Sequence, residues 1–211
     1  MDMTRLSYRL LRIAIDNSAY RSVLEALEEG IRESKDRIYK LAETDDEEWA
    51  ETIVDEECEL AENLIGAALV VCQAQITSVT SRAQMARARK LSSAGRFTAF
   101  GEGKKPVRDL GELLQPPATA TRVEMLWALA NYFKHRDEWP HDWANAAGHT
   151  ANTIAVIQQA GVAMGSTSNL RTAARYLSDH DDYTQLRAFS EIIDSWAERV
   201  ASAVKTELGI T

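Results

Sequence analysis

"WAETIVDEECELAENLIGAALVVCQAQITSVTSRAQMARARKL", Trp49 to Leu91, contains no proline and one glycine, Gly66. Apolar residues recur in it at steps of three and four, the period of an α-helix. The acids of "TDDEEWAE" just before and at its start suit a helix N-terminus, with Thr44 or Asp45 as the cap. One long helix is therefore expected, with Ile53, Leu60, Leu64, Val71 and Val79 on its core side. From Leu64 to Cys72 the run is apolar almost all round, as at the centre of a bundle. Gly66 lies in that middle, where the close packing of a neighbour is the expected reason for it.

The rest of the chain fits around such a helix. Its 211 residues suit a single domain over 1–211 with a real core, and 45% hydrophobic with 27% charged residues is a globular balance. Gly 10 and Pro 4 are low counts that favour long elements over tight turns. "SVLEALEEGIRESKDRIYKLAE" carries Val23, Leu24, Leu27, Ile31, Ile38 and Leu41 at helical steps, with Glu28–Arg32 and Glu33–Arg37 as i,i+4 pairs. Another helix is expected from about Thr121 to Arg136, and shorter ones in "TANTIAVIQQAG" and "SNLRTAARYLS", capped by Thr150 and Ser168. A last one spans about Asp182 to Leu208, with Leu186, Phe189, Ile193, Trp196, Val200, Val204 and Leu208 on one stripe and "DHDD" (Asp179 to Asp182) as its cap. No segment alternates like a strand. The expected class is all-α: a helical bundle of long antiparallel helices with a helical C-terminal extension.

Between Ser92 and Ala120 the pattern breaks; the stretch has four Gly and three of the four Pro. A flexible basic loop is expected there, with one helical turn near Leu110–Leu114. Arg82 to Arg108 holds eight cations (Arg82, Arg87, Arg89, Lys90, Arg96, Lys104, Lys105, Arg108) against one acid, Glu102, in a chain of net charge −8. Bulk charge therefore argues against a protein that coats nucleic acid, while this segment could still contact phosphates, with Phe97 or Phe100 stacking a base.

The chemistry concentrates in "ALANYFKHRDEWPHDW", Ala128 to Trp143. On a wheel centred on Trp127, Met125, Leu126, Leu129, Ala130, Tyr132 and Phe133 fill an arc from about 140° to 300°. Glu124, Trp127, Asn131, Lys134, His135 and Glu138 fall between about −20° and 80°. Asn131 and His135 are thus i,i+4 neighbours on the polar face, and Trp127 is the odd member, which suggests a second contact surface. His135 has a reference pKa suited to proton transfer, Asn131 can orient it or a ligand, and Lys134 and Arg136 can neutralise a phosphate.

"LANYFKH" resembles the signature of the HEPN superfamily: an Arg, a polar residue that is often Asn, three residues, then His. Asn131 matches the polar residue and His135 the histidine, whereas Ala130 stands at the Arg position. The resemblance implies a compact, usually dimeric α-helical domain. It also implies metal-independent RNA cleavage in active members and RNA or nucleotide binding in others. Because the family's Arg and His together handle the scissile phosphate, Ala130 points to a degenerate, binding-only member. Catalytic residues on this reading are His135 and Asn131. Lys134, Arg136, Trp127, Lys104, Lys105 and Arg96 are the ligand-binding set, with RNA or a nucleotide as partner.

Two other functions compete. A non-enzymatic module could oligomerise through Trp127, Trp139 and Trp143. A metal-dependent nucleotide pyrophosphatase could use the acidic pairs Glu48/Glu51, Glu56/Glu59, Glu59/Glu62 and Glu191/Asp194, although more than a hundred residues separate the two sets. Pro140 breaks the spacing of Glu138-x-x-His141, and nothing specifies a zinc site from His135, His141 and His149. No P-loop, dinucleotide fingerprint or GxSxG is present, so no metal and no cofactor is expected. Cys58 and Cys72 lie 14 residues apart, about 21 Å along one helix, too far to bridge within it. The N-terminus lacks a secretory pattern and "LIGAALVVC" is too short to span a bilayer, so a soluble cytoplasmic chain with no membrane partner, and a homo-oligomer, are the expectations.

Overall fold

A computed structural model describes residues 3–41, 47–94, 104–178 and 182–210. The elements are α1 (Met3–Ile15), α2 (Ala19–Leu41), α3 (Glu47–Ala94), α4 (Lys105–Arg108), α5 (Arg122–His135), α6 (Gly148–Ile157), α7 (Asn169–Leu177) and α8 (Arg187–Leu208). Among the described residues there is no β-strand, only an isolated antiparallel bridge between Leu113 and Thr121. The chain is an all-α helical bundle.

The 48-residue α3, about 72 Å long, is its spine. α2 runs antiparallel to it: Ser34 Oγ donates to the Glu57 carbonyl (2.9 Å), and Gly30 sits against Leu64. α1 continues the same line further along, where Gln75 Nε2 donates to the Ala14 carbonyl (2.8 Å). α8 runs antiparallel to α1 and α2, pairing Glu198 with Arg12 and Asp194 with Tyr20 and Arg21. It ends where Glu207 meets Arg87 of α3. α5 lies across the middle of α3, with α6 packed against it.

Enclosed on several sides, α3 buries Ala61, Ile65, Ala68, Leu69, Cys72, Ile76, Val79, Ala83 and Ala86. Its core line is thus shifted from the one expected: Val79 is on it, Leu64 and Val71 flank it, and Leu60 is 40% exposed. A helix apolar on every side presents no single stripe to the sequence, and here the small Ala positions mark the closest approaches. By length and composition, one stretch of Trp49–Ala88 would suffice to cross a membrane, and 56% of that stretch is buried within the protein.

The stripe of α8 is as expected, with Leu186, Phe189, Ile193, Trp196, Val200, Val204 and Leu208 all buried. The starts of α6, α7 and α8 differ from the expected ones. α6 begins at Gly148, so Thr150 is inside it, and Ser168 precedes α7 without a side-chain capping bond. Glu62 of α3 caps α7 instead, its carboxylate accepting from the backbone N–H of Leu170 (2.8 Å) and Arg171 (2.9 Å). Likewise Glu28 of α2 accepts from the N–H of Arg187 (2.9 Å) at the start of α8. Asp182 accepts from the N–H of Thr184 and pairs with Lys35, well before that helix; Asp179 to Asp181, like Thr44 and Asp45, lie outside the described residues.

The loop expected over 92–120 also differs. α3 extends to Ala94, and 104–120 is folded onto the bundle: Val107 and Leu114 are buried, the Leu114 N–H donates to Ala120, and the Trp196 indole N–H donates to the Val107 carbonyl (2.9 Å). No helical turn forms at Leu110–Leu114, where Leu113 instead makes the bridge to Thr121; the short helix of this segment is α4, which ends at Arg108.

Candidate functional site

α5 is set by its own sequence. The Thr121 hydroxyl accepts from the Glu124 N–H (3.0 Å), and Val123, Met125, Leu126, Leu129, Ala130 and Tyr132 are buried. The Phe133 ring occupies the space that a side chain on Gly66 of α3 would fill, which brings the two helices close. That approach places the opposite edge of α5 over Gln73. The Gln73 Nε2 donates to Asn131 Oδ1 (2.8 Å), and its Oε1 accepts from Lys134 Nζ (2.6 Å). One amide from the spine thereby fixes both an amide and an ammonium along the edge of α5 that meets α3. Gln73, only 7% exposed, was not singled out in the sequence. Its signal there was one of two primary amides, Gln73 and Gln75, in the otherwise apolar "LVVCQAQI".

His135 takes another direction. Its Nδ1 is 3.3 Å from Glu138 Oε2, the side chain is 48% exposed, and the ring stands at the helix end rather than over Asn131. Asn131 and His135 share a helix but not a partner. Ala130 is fully buried, so the position where the HEPN signature carries Arg faces the core.

Trp127 is explained by α4. The Arg108 guanidinium stacks on its ring at 4.7 Å from the centroid. Arg136 lies over Phe133 at 5.6 Å. Lys105 is exposed and reaches Asp109 (2.9 Å) and Glu124 (3.6 Å); the Asp109 hydrogen bond raises its pKa, against a smaller effect of burial. Lys104 is exposed, and Arg96 lies outside the described residues. Among the described residues, Lys104, Arg108, Lys134 and Arg136 have no carboxylate within 4.0 Å. The basic segment is otherwise partly spent on structure: Arg87 is buried in an ion pair with Glu207 (2.8 Å).

The other tryptophans close on the chain itself. Trp139 and Trp143 pack on Tyr132 (5.4 and 6.2 Å) and on each other (6.0 Å), and the Tyr132 hydroxyl accepts from Asn169 Nδ2 (2.8 Å). They fasten the corner after α5 to the start of α7. The acidic pairs are similarly engaged. Glu62 caps α7 and binds Arg171, Glu191 pairs with Arg187, and Asp194 holds Tyr20 and Arg21. Glu51, Glu56 and Glu59 are exposed. Among the described residues no group of three or more His, Cys, Asp or Glu side chains is placed to hold a metal ion. Burial pushes the Cys72 thiol far up, while Cys58 Sγ accepts from Arg171 (3.1 Å).

Comparison with known proteins finds no matching family model, no matching curated protein and no matching solved structure.

Proposed function

We propose that this chain is a HEPN-like helical domain that binds a phosphate-bearing ligand, RNA or a nucleotide, along the polar face of α5 without cleaving it. The observation that carries this reading is the Gln73 bridge, which holds Asn131 and Lys134 together on a face also bearing Trp127. Lys104, Arg108, Lys134 and Arg136, which have no carboxylate partner among the described residues, lie on α5 or on the segments next to it and supply the positive charge that a polyanion site requires. Buried Ala130 speaks for binding rather than cleavage, since the resembled signature needs a guanidinium at that position.

Fluorescence anisotropy of a labelled single-stranded RNA and of a labelled ATP analogue, at about 50 and about 200 mM salt, tests this. Affinity should fall steeply with salt, and Lys134→Ala or Arg136→Ala should weaken binding and lower the salt slope by about one unit each. RNA recovered after incubation should be intact. Absence of binding to both probes at the lower salt would overturn the proposal.

A further inference from the structure

Arg108 is in an unusual position for a guanidinium. It is half-buried, one face is covered by Trp127, and its Nε–H is sealed from solvent without a hydrogen-bond acceptor. Desolvation lowers its pKa, against the weaker opposing pull of Glu124 and Asp109. Those two carboxylates are both engaged by Lys105 instead. The backbone beneath is fixed, because the Arg108 carbonyl accepts from the Gly111 N–H (2.9 Å) and the Thr121 hydroxyl (3.3 Å). Exposed Lys104 lies one helical turn away. A buried N–H without an acceptor and a desolvated cation without a counter-ion are both costly, and the stacked tryptophan relieves only part of that cost.

We propose that the Arg108–Trp127 pair is a phosphate receptor, in which an oxyanion accepts from the outer N–H groups of the guanidinium and offsets its unpaired charge, with exposed Lys104 one turn away along the chain. This rests on the reading of α5 as a phosphate-binding face and assigns its anchor to a residue outside the HEPN-like signature. A guanidinium presents its donors as a fork, which suits a phosphate's paired oxygens better than a lysine's point charge does, and the Trp127 ring 4.7 Å away limits where this one can turn.

The test uses inorganic phosphate, with chloride and acetate at matched ionic strength as comparisons. Phosphate should raise the melting temperature of the wild-type chain saturably, and chloride and acetate should not. Arg108→Lys, which keeps the charge and loses the fork, should remove the saturable part, while Arg199→Ala, a charge removed elsewhere on the surface, should retain it. In the wild-type protein the Arg108 Nε–H resonance should shift with phosphate at the same midpoint, a readout that does not depend on the variant folding. Equal effects of phosphate, acetate and chloride, an unmoved Arg108 resonance, or undiminished phosphate binding by Arg108→Lys would each overturn the inference. RNA binding that depends on Lys134 but is the same in Arg108→Lys would overturn this inference alone. Saturable phosphate binding at Arg108 with no binding of RNA or nucleotide would instead overturn the broader reading.

Discussion

Gly66 and Phe133 occupy one space: a Cβ on Gly66 would lie 2.2 Å from the ring atoms Cδ2 and Cε2 of Phe133. The absence of a side chain on α3 is what lets α5 approach closely enough for Gln73 to reach Asn131 and Lys134. Gly66→Ala gains helix propensity but forces the ring and α5 outward. A net destabilisation of about 1–3 kcal/mol is expected from overpacking. Phe133→Leu in that background should recover part of it, so urea denaturation of the four members of this cycle should show coupling of about 0.5 kcal/mol or more.

Gln73 links fold to site, and its removal should separate the two. Gln73→Leu keeps the size and apolar fit of a 7%-exposed position but releases Lys134 and leaves the Asn131 carbonyl oxygen without its donor. Affinity for single-stranded RNA should fall several-fold while the far-UV circular dichroism stays that of a helical bundle. Unchanged affinity would show that the bridge does not position the binding face.

Glu62 reaches from α3 to the start of α7 with an oxygen on each of two backbone N–H groups and a further bond to the Arg171 Nε (3.1 Å). Glu62→Ala removes the cap and leaves Arg171 without its carboxylate. A loss of about 1–3 kcal/mol is expected, with faster amide exchange at Leu170 and Arg171 than in the core of α3.

Arg87 and Glu207 form an ion pair with side chains only 2% and 4% exposed. Glu207→Ala strands a charge in the interior, and a loss of about 3–5 kcal/mol is expected. Replacing both partners, as Arg87→Met with Glu207→Leu, should recover most of it. Chemical denaturation of the single and double variants checks both expectations.

Acid sensitivity should centre on the Arg37–Glu57 pair, where guanidinium Nε and Nη2 meet the two carboxylate oxygens (2.5 and 3.0 Å). The Arg37 hydrogen bonds hold the Glu57 carboxyl below its ordinary value, outweighing burial. The unfolded chain therefore takes up the proton first. The stabilisation is present above the ordinary carboxylate range and is lost as pH falls from about 5 through the depressed value. Burial pushes Asp182 upward, but the Thr184 N–H and Lys35 outweigh it, so Asp182 acts in the same direction. Melting temperatures measured from neutral to acid pH should fall less steeply for Glu57→Gln than for the wild-type chain.

The helices themselves were legible because their signals are local. The stripe of α8 and the polar and apolar arcs of α5 follow from periodicity within one segment, and a lone glycine in an apolar run marks a close neighbour at Gly66 without naming it. Caps and charge partners were not, because Glu62 lies 108 residues from Leu170 and Glu28 lies 159 from Arg187. Part of the Ala128 to Trp143 stretch is read differently in three dimensions: Asn131 turns to α3, His135 to Glu138, and Trp139 and Trp143 pack on Tyr132. A helical wheel gives the direction of a side chain but not the element it meets.

By itself the amino-acid sequence determined an all-α chain, the presence and approximate position of its principal helices and the polar face of α5, since hydrophobic periodicity records which side of each helix leaves water. Only the tertiary structure decided which face of α3 becomes the core, which carboxylates cap α7 and α8, and which cations are left without acids. Those outcomes depend on distant segments meeting in space, and an apolar helix surrounded on all sides carries no local mark of where each neighbour will lie.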